Sequence, residues 1–167
     1  MRIAALALLL SVIMAGTAAA DDVKDIRSTY DKFCAAIIHQ NFAAIRALET
    51  PDFTAQEGGR KLNGKQEEAV LRQQFSTKGK VRFMRVLMRG VSVRGKTAEV
   101  VTDFWYQAIV PVQAGTGKPH RYDRSGSISN TLVKTASGWK FKTLTQTTLS
   151  IAVDGQRTNP QGNGGKR

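Results

Sequence analysis

One carboxylate in the sequence lies among aromatic residues, a setting that can prepare it for acid–base chemistry. Asp103 occurs in the segment TDFWYQ and shares a strand face with Trp105, because alternate residues of a strand point the same way. An apolar environment raises the pKa of a carboxyl and makes it a candidate general acid or base. The alternative is an ion pair with one of the many arginines. The sequence leaves both interpretations open.

Basic residues are concentrated around the first long strand of the chain. Arg82, Arg85 and Arg89 are the candidate anion-binding residues in this segment. If they share a face, they form a surface whose affinity for anions falls steeply with salt. Strict alternation separates Arg82 from the other two, so a solvated strand is the alternative.

Motifs for metals and cofactors are incomplete. The pair Gly117-Lys118 is similar to the end of a phosphate loop, but Val112 replaces its first glycine and Pro119 replaces the Ser or Thr. This segment is therefore predicted to be a hairpin turn. The two histidines, His39 and His120, have no metal-ligand spacing to cysteine or acidic residues. We expect neither a metal nor a cofactor.

The first twenty residues have the layout of a secretory signal peptide. Arg2 precedes an apolar run, which ends in Thr17 and Ala18-Ala19-Ala20. The run is shorter than the roughly 20 residues that cross a bilayer, so no transmembrane anchor is expected after cleavage. We predict cleavage after Ala20 and a periplasmic or secreted protein of bacterial type. In such a compartment the single Cys34 has no partner and is interpreted as a small buried hydrophobe.

The remaining chain has the length of one domain and a strong positive charge. Without Arg2, 24 basic residues face 13 acidic ones, a net charge of +11. Such a charge favours anionic partners of the cell envelope, such as lipid head groups or acidic polysaccharide, while nucleic acid is disfavoured outside the cytoplasm. We place the domain at residues 21–153 and a disordered tail at 154–167, where apolar residues are lacking.

Helical periodicity dominates the first half of the domain. From Asp22, a possible cap, Val23, Ile26, Tyr30, Phe33 and Ile37 recur at spacings of three and four, which predicts one buried stripe. A second helix from Asn41 must end by Thr50, because Pro51 disfavours helical geometry before it. A short strand over residues 52–57 then reaches the Gly58-Gly59 turn. Asn63 and Gln66 predict a capping box that opens a third helix to about Phe75.

The second half changes to the pattern of long strands. Residues 81–94, 96–112, 121–135 and 139–153 are rich in Val, Thr, Ile and aromatics, and Gly-containing turns separate them. This predicts an antiparallel meander of four strands, with a bulge at Gly90 where alternation fails. Both alternating sets of the second strand are largely apolar, so we expect helices on one face and a second subunit on the other.

Two segments carry a resemblance to a known family. The first is IRSTYDKFCAAIIHQNFAAIRALETPDFTAQEGGRKLNGKQEEAVLRQQF, and the second is SGWKF after the long strands. The order of elements resembles the nuclear transport factor 2-like superfamily. That resemblance implies an α+β fold in which three N-terminal helices pack on the concave face of a curved, mainly antiparallel sheet. It also implies a pocket and a homodimer. Ketosteroid isomerase, SnoaL-type cyclases, dehydratases and kinase association domains share this fold.

Comparison with the isomerase assigns candidate catalytic residues. Matching NFAAIRALETPDFTAQE without gaps places Glu57 at the position of its carboxylate base, and Asn130 falls at the position of its acid donor. Its tyrosine donor falls on Phe33, which cannot donate a hydrogen bond. A tyrosine elsewhere must replace it, with Tyr30, Tyr106 and Tyr122 as candidates. The alternative for Glu57 is a solvated carboxylate at a strand end.

Three functional hypotheses follow from these observations. The leading one is a non-catalytic module that binds a small apolar ligand or a protein partner, because no complete catalytic set is visible. The second is an isomerase-like or dehydratase-like enzyme that uses Glu57 or Asp103 as base and Asn130 or a tyrosine as donor. The third is an anion-binding envelope protein. The residues expected to line the pocket are aromatic, namely Tyr30, Phe33, Phe53, Phe104, Trp105 and Tyr106.

Overall fold

The chain folds into helices followed by a single mixed sheet. The computed structural model describes residues 3–110 and 118–158, with the side chains of residues 20–76, 79–110 and 118–158. The helices in these ranges are α1 (Ile3–Ile38), α2 (Phe42–Ala47) and α3 (Gly64–Lys78). The strands are β1 (Glu49–Glu57), β2 (Arg60–Asn63), β3 (Lys80–Arg94), β4 (Thr97–Val110), β5 (His120–Thr135), β6 (Gly138–Val153) and β7 (Gln156–Thr158).

The strand order in the sheet is β2-β1-β6-β5-β4-β3, and β7 pairs with the end of β6. Neighbours from β3 to β6 are antiparallel, which confirms the predicted meander. β1 instead pairs in parallel with β6, so the sheet is mixed. Gly95 and Gly138 adopt positive φ angles of 60° and 105° in the tight turns before β4 and β6. The predicted turn at Gly117-Lys118 falls partly outside the described residues.

Irregular pairing bends the sheet. The register of β3 against β4 shifts between Met88 and Gly90, which places the extra residue at Arg89, one position from the predicted bulge. A second shift lies between Ser127 and Ile128, where β5 meets β6. Near this shift, Gly126 of β5 lies very close to the backbone of Thr148 in β6. A Cβ atom on Gly126 would lie 2.2 Å from the Thr148 carbonyl oxygen and 3.1 Å from the Phe104 ring.

The helices cover the concave face, and the α+β fold is as predicted. The stripe of α1 is buried against the sheet, where the Tyr30 ring meets Phe141 with centroids 5.1 Å apart. Ile26 is fully buried, and burying such a side chain stabilises the fold by about 2 kcal/mol. α2 adds Ile45 to the core and ends at Ala47, before the helix-breaking Pro51.

Several boundaries differ from the predictions. β1 begins at Glu49 and contains Pro51, which is accommodated where its register against β6 is irregular. β2 was not predicted, but it precedes the predicted capping box of Asn63 and Gln66, which is present. Asp22 does not begin a helix, because α1 is already formed there. Its carboxylate accepts hydrogen bonds from Lys134 Nζ at 2.6 Å and Trp139 Nε1 at 3.2 Å.

The first residues of the predicted tail form a turn and a short strand. Asp154 and Gly155, both with positive φ, form a turn that returns the chain along β6 as β7. The residues from Gln156 to Thr158 therefore belong to the sheet, since backbone pairing holds them without apolar side chains. Residues 159–167 of the predicted tail lie outside the described residues.

The two faces of β4 differ in cover. Val100, Thr102 and Phe104 are buried under the helices, whereas Val101 and Trp105 are 48% and 38% exposed on the convex face. The second subunit expected on this face remains a prediction. Within the described ranges, no helix combines the length and apolar character needed to span a membrane.

Candidate functional site

A cavity of about 80 Å³ lies between the helices and the concave face of the sheet. By the same measure one water molecule needs roughly 10–15 Å³, so the cavity holds a ligand of several heavy atoms. Most of its lining is aliphatic or aromatic. The polar side chains in the lining are Glu57, Glu67, Gln74, Tyr106, Arg124 and Gln146.

Glu67 is the most deeply buried ionisable residue in this lining. It follows the Asn63 cap on α3 and shares one helix face with Leu71 and Phe75, four and eight residues later. Glu67 is 6% exposed. Burial raises its pKa to about 8, and the carboxylates of Glu49 and Glu57 contribute in the same direction. Glu67 is therefore predominantly protonated at neutral pH.

Glu67 shares a hydrogen bond with Glu49, which belongs to β1 and is also buried. Glu49 in turn forms an ion pair with Arg46. Burial raises the pKa of Glu49 as well, but the Arg46 guanidinium opposes this shift, so the shared proton stays on Glu67. Gly64 makes room for this arrangement, because any Cβ there would overlap the guanidinium. The result is a group of three linked side chains near the first turn of α3, namely the Glu67 carboxyl, the Glu49 carboxylate and the Arg46 guanidinium.

Arg124 and Glu57 form a second charged group, nearer to solvent. Their side chains are 17% and 24% exposed, and the Nη2 to Oε2 distance is 3.8 Å. Arg124 also donates a hydrogen bond to Gln146 Oε1 at 3.2 Å. Its guanidinium carbon lies 5.7 Å from the centre of the Phe104 ring. Its buried Nε atom has no hydrogen-bond partner in the described part of the chain.

A smaller recess of about 20 Å³ adjoins the cavity and shares Glu67 with it. Three buried polar atoms of its lining residues lack hydrogen-bond partners among the described residues, namely Tyr30 Oη, Glu67 Oε2 and Asn130 Nδ2. Burial raises the pKa of the Tyr30 hydroxyl, which therefore stays protonated. A buried polar group without a partner costs about 1–3 kcal/mol, so the Tyr30 and Asn130 donors would stabilise an oxygen atom of a ligand here.

The structure brings most of the predicted site residues together. Glu57 and Asn130 line the cavity or its recess, as do the aromatic residues Tyr30, Phe33, Phe53, Phe104 and Tyr106. Tyr30 and Tyr106 are thus the tyrosines available where the isomerase comparison found Phe33. The roles proposed for these residues from the sequence remain predictions.

Asp103 and Trp105 lie elsewhere, on the convex face. Asp103 accepts hydrogen bonds from Ser127 at 2.8 Å and Arg89 at 2.6 Å, and these bonds hold its pKa below the usual range. This is the ion pair that the sequence allowed as the alternative to a catalytic role. Arg85 pairs opposite Trp105 on the adjacent strand, and Arg82 lies in a register shift of β3. The three candidate anion-binding arginines therefore lie outside the cavity lining.

Sequence reasoning missed Glu67 and Glu49, and it considered Arg124 only as part of a possible anion-binding surface and not as a pocket residue. The spacing of Glu67, Leu71 and Phe75 places an acidic residue on the apolar stripe of a helix, a pattern that could have revealed Glu67. Similarly, Arg124 lies on the same face of β5 as Tyr122, Gly126 and Ile128, and this set includes apolar residues of the concave face. In the described ranges, no group of three or more potential ligands could hold a metal ion.

Comparison with known proteins identifies the family. The model of the SnoaL-like domain matches residues 26–154, which include the cavity lining. The chain belongs to the SnoaL-like domain family. The match confirms the predicted membership of the nuclear transport factor 2-like superfamily. The chain matches no curated protein sequence.

Solved structures share the fold of this SnoaL-like domain. A proposed scytalone dehydratase from Novosphingobium aromaticivorans has a TM-score of 0.66 and 13% identity, over 86% of this chain and 95% of that one. A proposed dehydratase of the NTF2-like family from Streptomyces avermitilis has a TM-score of 0.65 and 16% identity, with 77% and 98% covered. A type 2 hexachlorocyclohexane dehydrochlorinase has a TM-score of 0.63 and 11% identity, with 90% and 99% covered.

Proposed function

We propose that this SnoaL-like domain is an acid–base enzyme that moves protons on small, largely apolar molecules, with Glu67 as the residue that exchanges protons with the substrate. The observation that carries the proposal is the buried Glu67 carboxyl, which lines both the cavity and its recess. Catalytic carboxyls with a pKa near the working pH are characteristic of proton-transfer enzymes. The pKa of Glu67, raised to about 8, meets this requirement.

The link to Glu49 supports a proton relay. One oxygen of Glu67 takes a proton from the substrate, while the opposite oxygen passes its own proton to Glu49. Glu49 can accept it, because burial raises its pKa and Arg46 keeps it ionised beforehand. In the reverse direction the same pair returns a proton to the substrate, at a second carbon or at a leaving oxygen. Isomerisation and elimination both follow from these two steps.

Hydrogen-bond donors in the recess support the same chemistry. Asn130 Nδ2 and Tyr30 Oη are buried and without partners within the described residues. Donors of this kind stabilise an oxygen atom that gains negative charge when a proton leaves the neighbouring carbon. Several structural neighbours are named as dehydratases or a dehydrochlorinase, and such eliminations also begin with proton removal.

Hydrogen exchange tests the proposal without knowledge of the natural substrate. The protein is incubated in D₂O with small ketones that have acidic C–H groups, and their deuteration is followed by NMR. We expect exchange above the buffer rate and a loss of at least about 100-fold in Glu67→Gln. The matched control is Glu68→Gln, on the same helix, where Glu68 pairs with Arg72 at the surface. Equal exchange by the two variants would contradict the proposal.

A second candidate is the non-catalytic binding of a small apolar ligand in the same cavity. The mostly aliphatic and aromatic lining favours it. This candidate predicts saturable binding of small apolar compounds, no exchange of their C–H protons, and similar affinity in wild type and Glu67→Gln.

A further inference from the structure

The cavity contains a cation whose hydrogen-bonding capacity the protein leaves partly unused. Arg124 is 17% exposed and lines the cavity from the middle of the sheet. A guanidinium has five N–H donors. In the described part of the chain, Arg124 gives one hydrogen bond to Gln146, and its buried Nε has none. Its ion-pair partner Glu57 is 3.8 Å away, beyond the range of a normal hydrogen bond.

We propose that the ligand of this cavity carries a carboxylate and that Arg124 is its anchor. The inference deepens the proposed function, since it names the substrate class of the same site. Guanidinium and carboxylate groups match in shape and form paired, charge-assisted hydrogen bonds. Arg124 lies beside the Phe104 ring, so an apolar body attached to the ligand carboxylate packs directly against the apolar lining next to Arg124. The volume of about 80 Å³ is sufficient for a body of a few carbon atoms.

The two glutamates of the lining, Glu57 and Glu67, do not prevent an anion from binding at Arg124. Glu67 is protonated at neutral pH and does not repel it. Glu57 is more exposed than Arg124, and its carboxylate lies 3.8 Å from the guanidinium. A ligand carboxylate can therefore compete with Glu57 for the positive charge of Arg124. With the anion at Arg124, the rest of the ligand extends toward Glu67, the residue that the cavity shares with its recess.

The test compares two probes of nearly equal shape, butyrate and butyramide, by calorimetric or NMR titration. Only butyrate is charged. In wild type we expect butyrate to bind at least tenfold more tightly than butyramide. Arg124→Gln should weaken butyrate at least tenfold and leave butyramide unchanged. The control is Arg72→Gln on α3, because Arg72 is 57% exposed, pairs with Glu68 at the surface and lies outside the cavity lining. It should bind butyrate like wild type.

The result that overturns the inference is equal binding of the two probes by wild type, or unchanged butyrate affinity in Arg124→Gln. A loss in Arg72→Gln as large as in Arg124→Gln would also overturn it, since it would show attraction to the basic surface. Thermal unfolding checks that Arg124→Gln is folded. Arg124→Lys provides a second variant, which keeps the charge, lacks the planar fork and should bind butyrate with intermediate affinity.

Failure of the proposed enzymatic function gives a different pattern. Butyrate binding by wild type that depends on Arg124, together with no proton exchange by wild type, would support the carboxylate anchor and reject the catalytic role.

Discussion

Glu67 on α3 and Glu49 on β1 share one hydrogen bond in the interior of the protein, and Arg46 balances the charge of the pair. Two buried carboxylates side by side would repel each other strongly, so the pair retains a proton at neutral pH. The proton lies on Glu67, because the Arg46 guanidinium forms its ion pair with Glu49. The pair therefore links the stability of the fold to pH and prepares one carboxyl for proton transfer.

The proton on Glu67 should make the folded protein less stable as pH rises. The folded state keeps this proton up to about pH 8, whereas the unfolded chain releases it near 4.5. Between these values the folded state binds more protons, and its free energy of unfolding falls with pH. The slope approaches about 1.4 kcal/mol per pH unit for one full proton. Urea unfolding of wild type and Glu67→Gln from pH 5 to 9 measures the difference.

We expect Glu67→Gln to lack this decline, so the stability of the variant relative to wild type should rise across that range. Carboxyls that do not interact with Glu67 contribute equally to both proteins and cancel in the comparison. Parallel stability curves would show that Glu67 titrates normally.

Removing Arg46 should destabilise the protein, because it leaves the buried Glu49 without its counter-charge. Breaking a buried pair in this way costs about 3 kcal/mol. We expect a loss of that order for Arg46→Gln in chemical unfolding at pH 7. The matched control is Lys142→Gln, whose pair with Asp52 is exposed and 3.5 Å long. This control should lose less than about 1 kcal/mol, and equal losses would contradict the account.

Neighbouring aromatic residues on β4 should differ in their contribution to stability. Phe104 is 5% exposed in the cavity wall, and Trp105 is 38% exposed on the convex face. Truncation of a buried phenylalanine costs about 3–5 kcal/mol. We therefore expect Phe104→Ala to lose at least about 3 kcal/mol, and Trp105→Ala to lose roughly 1 kcal/mol. Unfolding at low protein concentration compares the two, and a larger loss in Trp105→Ala would reverse our assignment of the faces.

A methyl group at Gly126 should disturb the bend of the sheet. It would collide with the Thr148 carbonyl at 2.2 Å and press on the Phe104 ring at 3.1 Å. We expect Gly126→Ala to lose about 1–3 kcal/mol in the free energy of unfolding. The control is Gly90→Ala, also in a strand, where the added atom meets nothing within 4 Å. Similar stability of the two variants would mean that the contact at Gly126 relaxes at no cost.

Much of the fold could be predicted from local patterns. The stripe of α1, the capping box at Asn63 and the Gly-containing turns of the meander all depend on residues close in sequence. The parallel pairing of β1 with β6 could not be predicted in this way, because it joins segments almost ninety residues apart. β7 was missed for a related reason, since its pairing uses backbone groups that any side chain provides.

The candidate site was only partly predictable. Aromatic residues of the cavity wall, such as Phe33 and Phe104, follow from hydrophobic alternation and the family resemblance. The importance of Glu67 depends on the depth to which α3 packs against the sheet, which the sequence does not specify. Asp103 has the more suggestive local sequence, yet strand alternation places it on the convex face beside Arg89. Burial is thus what distinguishes the two carboxyls.

The most direct test of a buried, protonated Glu67 is an NMR titration of its carboxyl group. Protein labelled with ¹³C in the glutamate carboxyl carbons is titrated from pH 4 to 10, and Glu67→Gln identifies the resonance. We expect one carboxyl with a midpoint near 8, which disappears in Glu67→Gln. A Glu67 resonance that titrates at the ordinary glutamate pKa of about 4.3 would contradict both the buried proton and the proposed acid–base role.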